Sequence, residues 1–284
     1  MDKIRIEFLQ TLKQFNDTVE LQRIVWKLQN YKDCIPDHML LAIVESGGYV
    51  IGAYQAEKLV GFSVILPAVT EDSQVYQRSH ILGIHPDVQH ENIGYKMKIA
   101  HMGRALKDNI NKIVWTYDPL LGANANLNIK KLGGICNKYF VDVYGEVMGG
   151  SELVSGLPSD RFLLEWHIGS KTVKNRFNQK EIIDKSDLSI DPVNTVEIKK
   201  NDLQEMTGFS TDHSKEEIFI QIPSDFQKIY DTDKGLAMDW RMKFREMIII
   251  YFEMGYTVVD FYRSKGKCSL VENFYLLEKD YKLE

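Results

Sequence analysis

The first part of the chain alternates between short apolar runs, which predict strands, and stretches whose apolar residues recur every three or four positions. Residues 19–29 and 36–47 have this helical spacing. Residues 16–18 (Asn-Asp-Thr) supply a cap for the first helix, and Gly47 ends the second. We expect Pro67 to end the strand before it, because proline has no N–H for a ladder. The strands predicted here are residues 4–8, 49–54, 59–66 and 77–84.

The strand that ends near residue 84 leads through a polar loop into a helix that Gly94 opens. Pro86 stops the strand, and the loop contains Asn92, a residue type that tolerates left-handed backbone. A loop that enters a helix leaves several N–H groups unpaired at the positive end of the helix dipole. The stretch is therefore a candidate site for a pyrophosphate.

Three more strands and a short helix follow within the first 168 residues. The short helix covers residues 124–132 and ends at Gly133. A helix connects the strands at 77–84 and 112–117, so these two should pair in parallel, whereas the earlier hairpin is antiparallel. The predicted fold class is α/β, with a mixed sheet and helices on its faces. The three strands are residues 112–117, 139–144 and 161–167.

Changes in the pattern divide the chain into three parts. Residues 1–168 form one domain, and residues 169–195, which are polar and show little periodicity, form a linker. Residues 196–284 form a second, smaller α/β unit with the order strand, helix, strand, strand. The apolar stripe around Trp240 is interpreted as core. The elements of this unit are residues 217–223, 233–255, 257–262 and 273–278.

Composition argues against several classes of function. The 284 residues carry a formal charge of −5, which is unfavourable for a nucleic-acid surface. Cys34, Cys136 and Cys268 lie far apart without metal-ligand spacing, so we expect free thiols and no metal. The first residues do not resemble a signal peptide, and no apolar run is long enough to span a bilayer. We expect a cytoplasmic protein with no membrane or nucleic-acid partner.

The loop before the helix that Gly94 opens reads Gln89-His90-Glu91-Asn92-Ile93-Gly94. It is similar to the motif Gln/Arg-x-x-Gly-x-Gly/Ala of the GNAT superfamily of acyl-CoA-dependent N-acyltransferases, with Asn92 in place of the first glycine. The order of elements around the loop also resembles that family. A closer resemblance, to a bacterial subgroup of large GNAT proteins with an extra C-terminal unit, rests on further stretches. They are residues 21–26, 79–83, 115–121, 124–125, 131–133 and 156–161.

The resemblance implies an acyl-CoA as co-substrate and assigns residues to it. The strand at Leu82, Gly83 and Ile84 would contact the acyl carbonyl and the pantetheine through backbone N–H groups. Asn124 and Asn128 would hydrogen-bond the cofactor, or else cap a helix and lie on a solvated face. The pyrophosphate would be held by the loop and the first helical turn, which are Gln89, His90, Glu91, Asn92, Ile93, Gly94, Tyr95 and Lys96.

His80 is the candidate general base. With a side-chain period of two it is expected to share a strand face with Leu82 and Ile84. A neutral imidazole can accept a proton from an attacking amine near neutral pH. The position is similar to that of the general base in the arylalkylamine N-acetyltransferase branch of GNATs. The alternative is a hydrogen-bonded core residue or a residue that lines the substrate.

The proton donor for the leaving thiolate is less evident. Many GNATs use a tyrosine on the helix that here contains Ile129, so the matching position lacks a hydroxyl. Tyr117, Tyr139 and Tyr144 are candidates, or ordinary strand aromatics, and we choose Tyr144. Water is another possible donor, because a thiolate has a lower pKa than an alkoxide.

The resemblance implies transfer of an acyl group, such as acetyl or succinyl, from CoA to the amine of a small molecule such as an amino acid. One alternative is acylation of a protein N-terminus or lysine. Another is a regulatory protein that binds CoA with little or no turnover. Arg161 would suit a carboxylate on a reactant. The C-terminal unit would shape the acceptor pocket or form a homodimer.

Overall fold

The computed structural model describes residues 3–89, 91–145, 156–178, 191–212, 214–265 and 271–284. The chain divides into two compact units, and the described residues pass from the first to the second between Trp115 and Thr116. A domain boundary near residue 168 stays a prediction. Among the described residues, no helix has both the length and the apolar character needed to cross a membrane.

The first unit contains an antiparallel sheet that is extended by one parallel strand. The strand order is β1-β2-β3-β4-β5, and β4 pairs in parallel with β5 after the α3 crossover. This arrangement confirms the predicted mixed sheet. Its strands are β1 (Arg5–Phe8), β2 (Tyr49–Gln55), β3 (Lys58–Val69), β4 (Val75–Ile84) and β5 (Lys112–Tyr117), and its helices are α1 (Leu12–Trp26), α2 (Asp37–Glu45) and α3 (Ile93–Lys107).

Each face of this sheet has its own core. Phe62 and Val64 of β3 pack with Phe15 of α1 and Leu40 of α2 on one face. On the other face the core of β2 and β3 packs with α3, which contributes Ile93 and Met97. Because Met97 is 1% exposed, α3 is fixed firmly against the sheet.

Two local predictions for this unit are wrong. Helix α1 begins at Leu12 and not at Val19, because Thr11 and Gln14 form a capping box there. The Thr18 hydroxyl, which was expected to help cap a later start, instead donates to the Gln14 carbonyl inside the helix. Strand β3 continues past Pro67 to Val69. Proline is tolerated there because β2 pairs with β3 only as far as Ile65, so that beyond it one edge of β3 has no ladder partner among the described residues.

Among the described residues of the second unit, five strands pair in the order β7-β6-β11-β12-β10, and two more, β8 and β9, form a separate antiparallel pair. The strands are β6 (Ile135–Phe140), β7 (Arg161–His167), β8 (Asn194–Ile198), β9 (Gln204–Phe209), β10 (Glu217–Ile222), β11 (Tyr256–Lys265) and β12 (Val271–Lys279). The helices are α4 (Gly122–Ala125), α5 (Lys171–Phe177), α6 (Phe226–Thr232) and α7 (Lys234–Glu253), and a π-helical segment Asn126–Lys131 follows α4.

The long helix α7 confirms the predicted element at residues 233–255. The Asp233 side chain caps it by accepting the Leu236 N–H at 2.9 Å. The stripe that includes Trp240, Phe244 and Tyr251 is fully buried, so it is core as expected. The predicted order of strand, helix, strand, strand is present in β10, α7, β11 and β12.

Several elements of the second unit were not predicted. The expected linker contains α5, because the Ser170 hydroxyl accepts the Val173 N–H and starts a helix. Strands β8 and β9 and helix α6 are also additional. Residues 179–190 of the expected linker lie outside the described part of the chain. The strand expected at residues 139–144 is β6, which ends at Phe140, so Tyr144 lies in a turn.

Candidate functional site

Strand β4 contains one extra residue, His80. In the β3–β4 ladder Val64 is opposite Ile81 and Ile65 is opposite Ser79, so His80 has no partner in β3. This is a β-bulge, a feature that re-aims side chains and is common next to active sites. The His80 side chain is exposed. Partial desolvation of the ring lowers the pKa of His80 below its ordinary value, and the charge of Arg78 lowers it further.

The bulge changes which residues share a face of β4. Gln77 and Ser79 bond to side chains of α3, and beyond the bulge Leu82 and Ile84 also pack on the α3 side. The alternation of two is therefore interrupted at His80. The expectation that His80 shares a face with Leu82 and Ile84 assumed an unbroken strand, and it stays a prediction.

Beyond the bulge, one edge of β4 lacks a ladder partner among the described residues. The parallel pairing with β5 covers only Gln77 with Ile113 and Arg78 with Val114. The His85 N–H donates to the Val60 carbonyl on the β3 side at 2.8 Å. Since N–H groups alternate along a strand, those of Leu82 and Ile84 face the opposite, open edge. We call the stretch Ser79–Ile84 the open edge.

Gly83 has a packing role within the same strand. A Cβ at this position would lie 2.7 Å from the Phe62 ring on β3, so glycine is needed for the close approach of the two strands. Strand packing therefore explains the glycine at position 83, which the resemblance assigns to the cofactor.

The open edge leads directly into the N-terminus of α3. Asn92 is the N-cap and adopts φ 56° and ψ 26°, the left-handed conformation that the substituted glycine of the motif would take. The Lys96 N–H is bonded to the Asn92 carbonyl at 3.1 Å. By helix geometry the N–H groups of Ile93, Gly94 and Tyr95 precede the first intrahelical bond and point out of the helix end.

The remaining loop residues have different surroundings. The Gln89 side chain donates to the Ile84 carbonyl at 3.4 Å and connects the loop to the strand end. Glu91 is half-buried, and Lys96 is exposed on the first turn of α3. Ile93 is buried in the core. His90 lies outside the described residues.

A buried polar cluster between α3 and β4 supports the bulge from behind. The Lys98 ammonium donates to the Ser79 hydroxyl at 2.9 Å and lies 3.5 Å from the centroid of the Trp115 ring. The Ser63 hydroxyl is 3.5 Å from that of Ser79 and donates to the Ile81 carbonyl at 2.9 Å. The residues on both sides of His80 are thus held by side chains.

Burial changes the titration of this cluster. It lowers the pKa of Lys98 to about 7. Burial also lowers the pKa of His101 well below its ordinary value, and the neighbouring Lys98 adds to the effect. The His101 Nε2–H donates to the Gln77 amide oxygen at 2.8 Å. Residues 94, 98, 101 and 105 have core-facing helical spacing, and this pattern was the sequence signal for a buried lysine.

The other predicted site residues belong to the second unit. Asn124 is half-buried in α4, and Asn128 is 5% exposed in the π-helical segment. Ile129, at the position of the family's tyrosine, is fully buried. The Tyr144 hydroxyl lies 3.2 Å from the Thr116 hydroxyl, and the Arg161 guanidinium lies over the Tyr144 ring at 5.6 Å.

Solved structures of acetyltransferases resemble this chain. One is the NatC complex bound to Gag peptide and CoA, at 14% identity and a TM-score of 0.46, covering 59% of this chain and 99% of the other. Another is the ribosomal-protein-S18-alanine N-acetyltransferase from Escherichia coli, at 13% identity and a TM-score of 0.44, covering 58% and 94%. These likenesses concern the fold.

A further match is an aminoglycoside acetyltransferase from an uncultured soil metagenomic sample in complex with sisomicin. It is 20% identical, has a TM-score of 0.38, and covers 41% of this chain and 79% of the other. No family model and no curated protein matches the sequence.

Metal ligation has no support in the part of the chain that the structure describes. Across these residues no group of three or more His, Cys, Asp and Glu side chains is arranged to hold a metal ion. Cys34 and Cys136 are buried free thiols, while Cys268 lies outside the described residues.

Proposed function

We propose that the protein is an acyl-CoA-dependent N-acyltransferase that acts on the amine of a small molecule. The proposal rests on three features that follow one another along β4 and into α3. A bulged histidine is followed by an open strand edge, and the edge runs into a helix N-terminus with a left-handed N-cap. Together they offer a base, donors for a thioester and a site for a pyrophosphate.

The helix N-terminus suits the pyrophosphate of CoA. The N–H groups of Ile93, Gly94 and Tyr95 supply donors, and the helix dipole favours negative charge at the same place. The open edge suits the pantetheine and the thioester, since the N–H groups of Leu82 and Ile84 can donate to carbonyl oxygens. An N–H aimed at the thioester carbonyl would also stabilise the tetrahedral oxyanion.

His80 is the proposed general base. The amine nitrogen attacks the thioester carbon, and His80 accepts the proton that the amine loses. The C–S bond then breaks, and the thiolate takes a proton from water. The lowered pKa of His80 favours the neutral imidazole that this step requires.

The central experiment is CoA binding together with CoA release, using acetyl-CoA and succinyl-CoA and a panel of amines, amino acids and peptides. The diagnostic variant is Gly94→Glu. A glutamate in the first helical turn is favourable for the helix but repels a pyrophosphate at the same place. We expect it to weaken CoA binding at least tenfold, which is about 1.4 kcal/mol.

The matched control is Gly103→Glu on the same helix, where no atom lies within 4 Å of an added Cβ. It should bind CoA like the wild type. Equal binding by both variants would refute the loop assignment. Turnover only on peptides would favour the protein N-acyltransferase. CoA binding without turnover on any acceptor would favour the regulatory protein, for which the buried Ile129 is the supporting observation.

A further inference from the structure

Arg78 is the last residue of β4 that is paired with both neighbouring strands. It lies opposite Leu66 of β3 and Val114 of β5, and the open edge begins at the next residue. The residues before and after it bond to side chains of α3. Because side chains alternate along a strand, Arg78 projects from the other face of the sheet, on which α1 and α2 pack. It lies two residues before His80.

The guanidinium of Arg78 has no counter-ion among the residues that the structure describes. Its side chain forms neither a hydrogen bond nor an ion pair with any of them, although the residue is half-buried. A guanidinium carries five N–H donors, and such donors normally find acceptors where solvent is partly excluded. Partial burial of an unpaired cation costs free energy, and an anionic ligand would offset that cost.

Two arginines of α7 show how the chain satisfies this residue type where it is buried. Asp118 accepts from Arg241 through both oxygens, at 2.9 and 2.5 Å. Asp160 accepts from Arg245 through both oxygens, each at 2.8 Å. Bidentate pairs of this kind satisfy the charge of both partners. Arg78 differs from these arginines because its donors are available to a solute.

The position of Arg78 along β4 limits which anion can reach it. At the usual rise of a strand, Ile84 lies roughly 20 Å from Arg78 along β4. The CoA pyrophosphate, which we propose to bind at the N-terminus of α3, lies beyond Ile84 and is therefore too far away. The thioester would lie on the open edge near His80, so an anion at Arg78 would belong to the reacting end of the acyl group or to the acceptor.

Arg78 also acts on the proposed base. Desolvation lowers the pKa of His80, and the charge of Arg78 lowers it further. An interaction of this size falls off with distance, so the two side chains share one electrostatic environment. An anion bound to Arg78 would therefore lie beside an amine that approaches His80.

We infer that Arg78 binds the carboxylate of a reactant next to the proposed base His80. The inference rests on the proposed function, because the carboxylate belongs to a reactant of that acyl transfer. A planar guanidinium binds a carboxylate through two parallel N–H donors. Two sources fit this chemistry, an amino-acid acceptor and a dicarboxylic acyl group on CoA.

Paired reactants test the inference and separate the two sources. Amino acids are compared with their amides as acceptors, and succinyl-CoA is compared with acetyl-CoA as donor. Assays at pH 8 keep His80 neutral in every variant. We expect the wild type to prefer the carboxylate in one pair. Arg78→Gln should lower the ratio of kcat/KM for the charged over the neutral reactant about tenfold or more.

The matched control is Arg5→Gln, which removes the same charge from β1 of the first unit, with β2 and β3 between it and β4. It should keep the wild-type ratio. An equal loss on the charged and the neutral reactant in Arg78→Gln, or no change for either, would overturn the inference. If Arg78→Gln does not fold, Arg78→Met keeps an apolar stem without the charge and should lower the ratio to a similar extent.

A binding measurement distinguishes failure of this inference from failure of the proposed function. Succinate and N-acetylglycine are titrated into the wild type and Arg78→Gln while NMR follows the His80 ring, with the corresponding amides as controls. A carboxylate on Arg78 offsets its charge, so the pKa of His80 should rise in the wild type only. Such binding without any turnover would keep the Arg78 site and refute the acyltransferase. Turnover with no carboxylate preference and no effect of Arg78→Gln would do the opposite.

Discussion

At the residue scale, Asn92 shows how a departure from a sequence motif is accommodated. The motif has glycine at this position, and asparagine here adopts the left-handed conformation with φ 56°. Asn109, just beyond the end of the same helix, has a nearly equal φ of 58°. The helix is therefore flanked at both ends by an asparagine with the same backbone requirement, but only the first is at the proposed phosphate site.

The pair of asparagines gives a controlled test of the loop. Asn92→Ala and Asn109→Ala should each cost about 1 kcal/mol of unfolding free energy, because alanine is strained in the left-handed region. Only Asn92→Ala should also weaken CoA binding, and Asn92→Gly should leave it unchanged. Urea unfolding and calorimetric titration with CoA measure the two effects. Equal CoA affinity in both alanine variants would contradict the prediction.

His80 is tested by the pH dependence of turnover. A base must be neutral, and the pKa of His80 is below its ordinary value, so kcat/KM should stay level as pH falls to about 6.5 and decline only below it. His80→Gln should lower kcat about 10²- to 10⁴-fold and remove this acid limb. A variant that keeps both the rate and the limb would exclude His80 as the base. His85→Gln, at the end of the same strand, is the control.

At the element scale, β4 and α3 act as one structural piece. The bulge in β4 is held by Ser63 and Ser79, and Ser79 is held by Lys98 of α3. A buried lysine destabilises the folded protein when it is charged, because desolvation disfavours the charged form. Lys98 is therefore largely neutral above pH 7, where its amine can still donate to Ser79.

The burial of Lys98 predicts that the stability of the protein depends on pH. The pKa of Lys98 falls from 10.5 in the unfolded chain to about 7 in the folded one, so between these values the unfolded chain binds more protons. Stability should consequently rise with pH in this range, by about 1.4 kcal/mol per pH unit at most, and the gain is absent below pH 7. Lys98→Met should abolish the slope, while Lys107→Met, exposed on the last turn of α3, should not. Urea unfolding of the wild type and both variants at several pH values tests this prediction.

Sequence patterns predict such elements unevenly. The α3 crossover and the parallel pairing of β4 with β5 followed from the order of apolar runs, and Asn92 was predicted from its backbone tolerance. The bulge at His80 was not predictable, because an extra residue is defined only by what β3 places opposite it. Helix α1 was misjudged because residues 16–18 were chosen as the cap, whereas the local capping box of Thr11 and Gln14, which is readable in the sequence, sets the start.

At the scale of the whole molecule, each of the two units has its own buried polar centre. The first has Lys98 and His101 behind the bulge, and the second has the paired aspartates and arginines. The second centre joins residues more than 80 positions apart along the chain, which no local pattern could reveal. Single-sequence reasoning singled out Arg161 only as a residue that would suit a carboxylate, and it missed Arg241 and Arg245.

The second centre should dominate the stability of its unit. Arg241→Met leaves Asp118 buried without its bidentate partner and should cost about 3–5 kcal/mol of unfolding free energy. Replacing both partners, as Arg241→Met with Asp118→Asn, should cost less, because the carboxylate left without its bidentate partner is then also removed. Trp166 and Trp240 are fully buried in this unit and report its unfolding once Trp26 and Trp115 are phenylalanine. A double variant as unstable as the single one would contradict the account.

The continuation of β3 beyond β2 has a consequence for self-association. The Thr70 N–H bonds to the Gln74 carbonyl on the β4 side, so by alternation the nitrogen of Pro67 faces the edge that β2 leaves unpaired. An edge with a free donor at that position could recruit a strand from another molecule, and Val69 and Val75 at the end of the hairpin are exposed and apolar. Proline supplies no donor there, so the same residue that β3 tolerates also protects the protein against edge-to-edge aggregation.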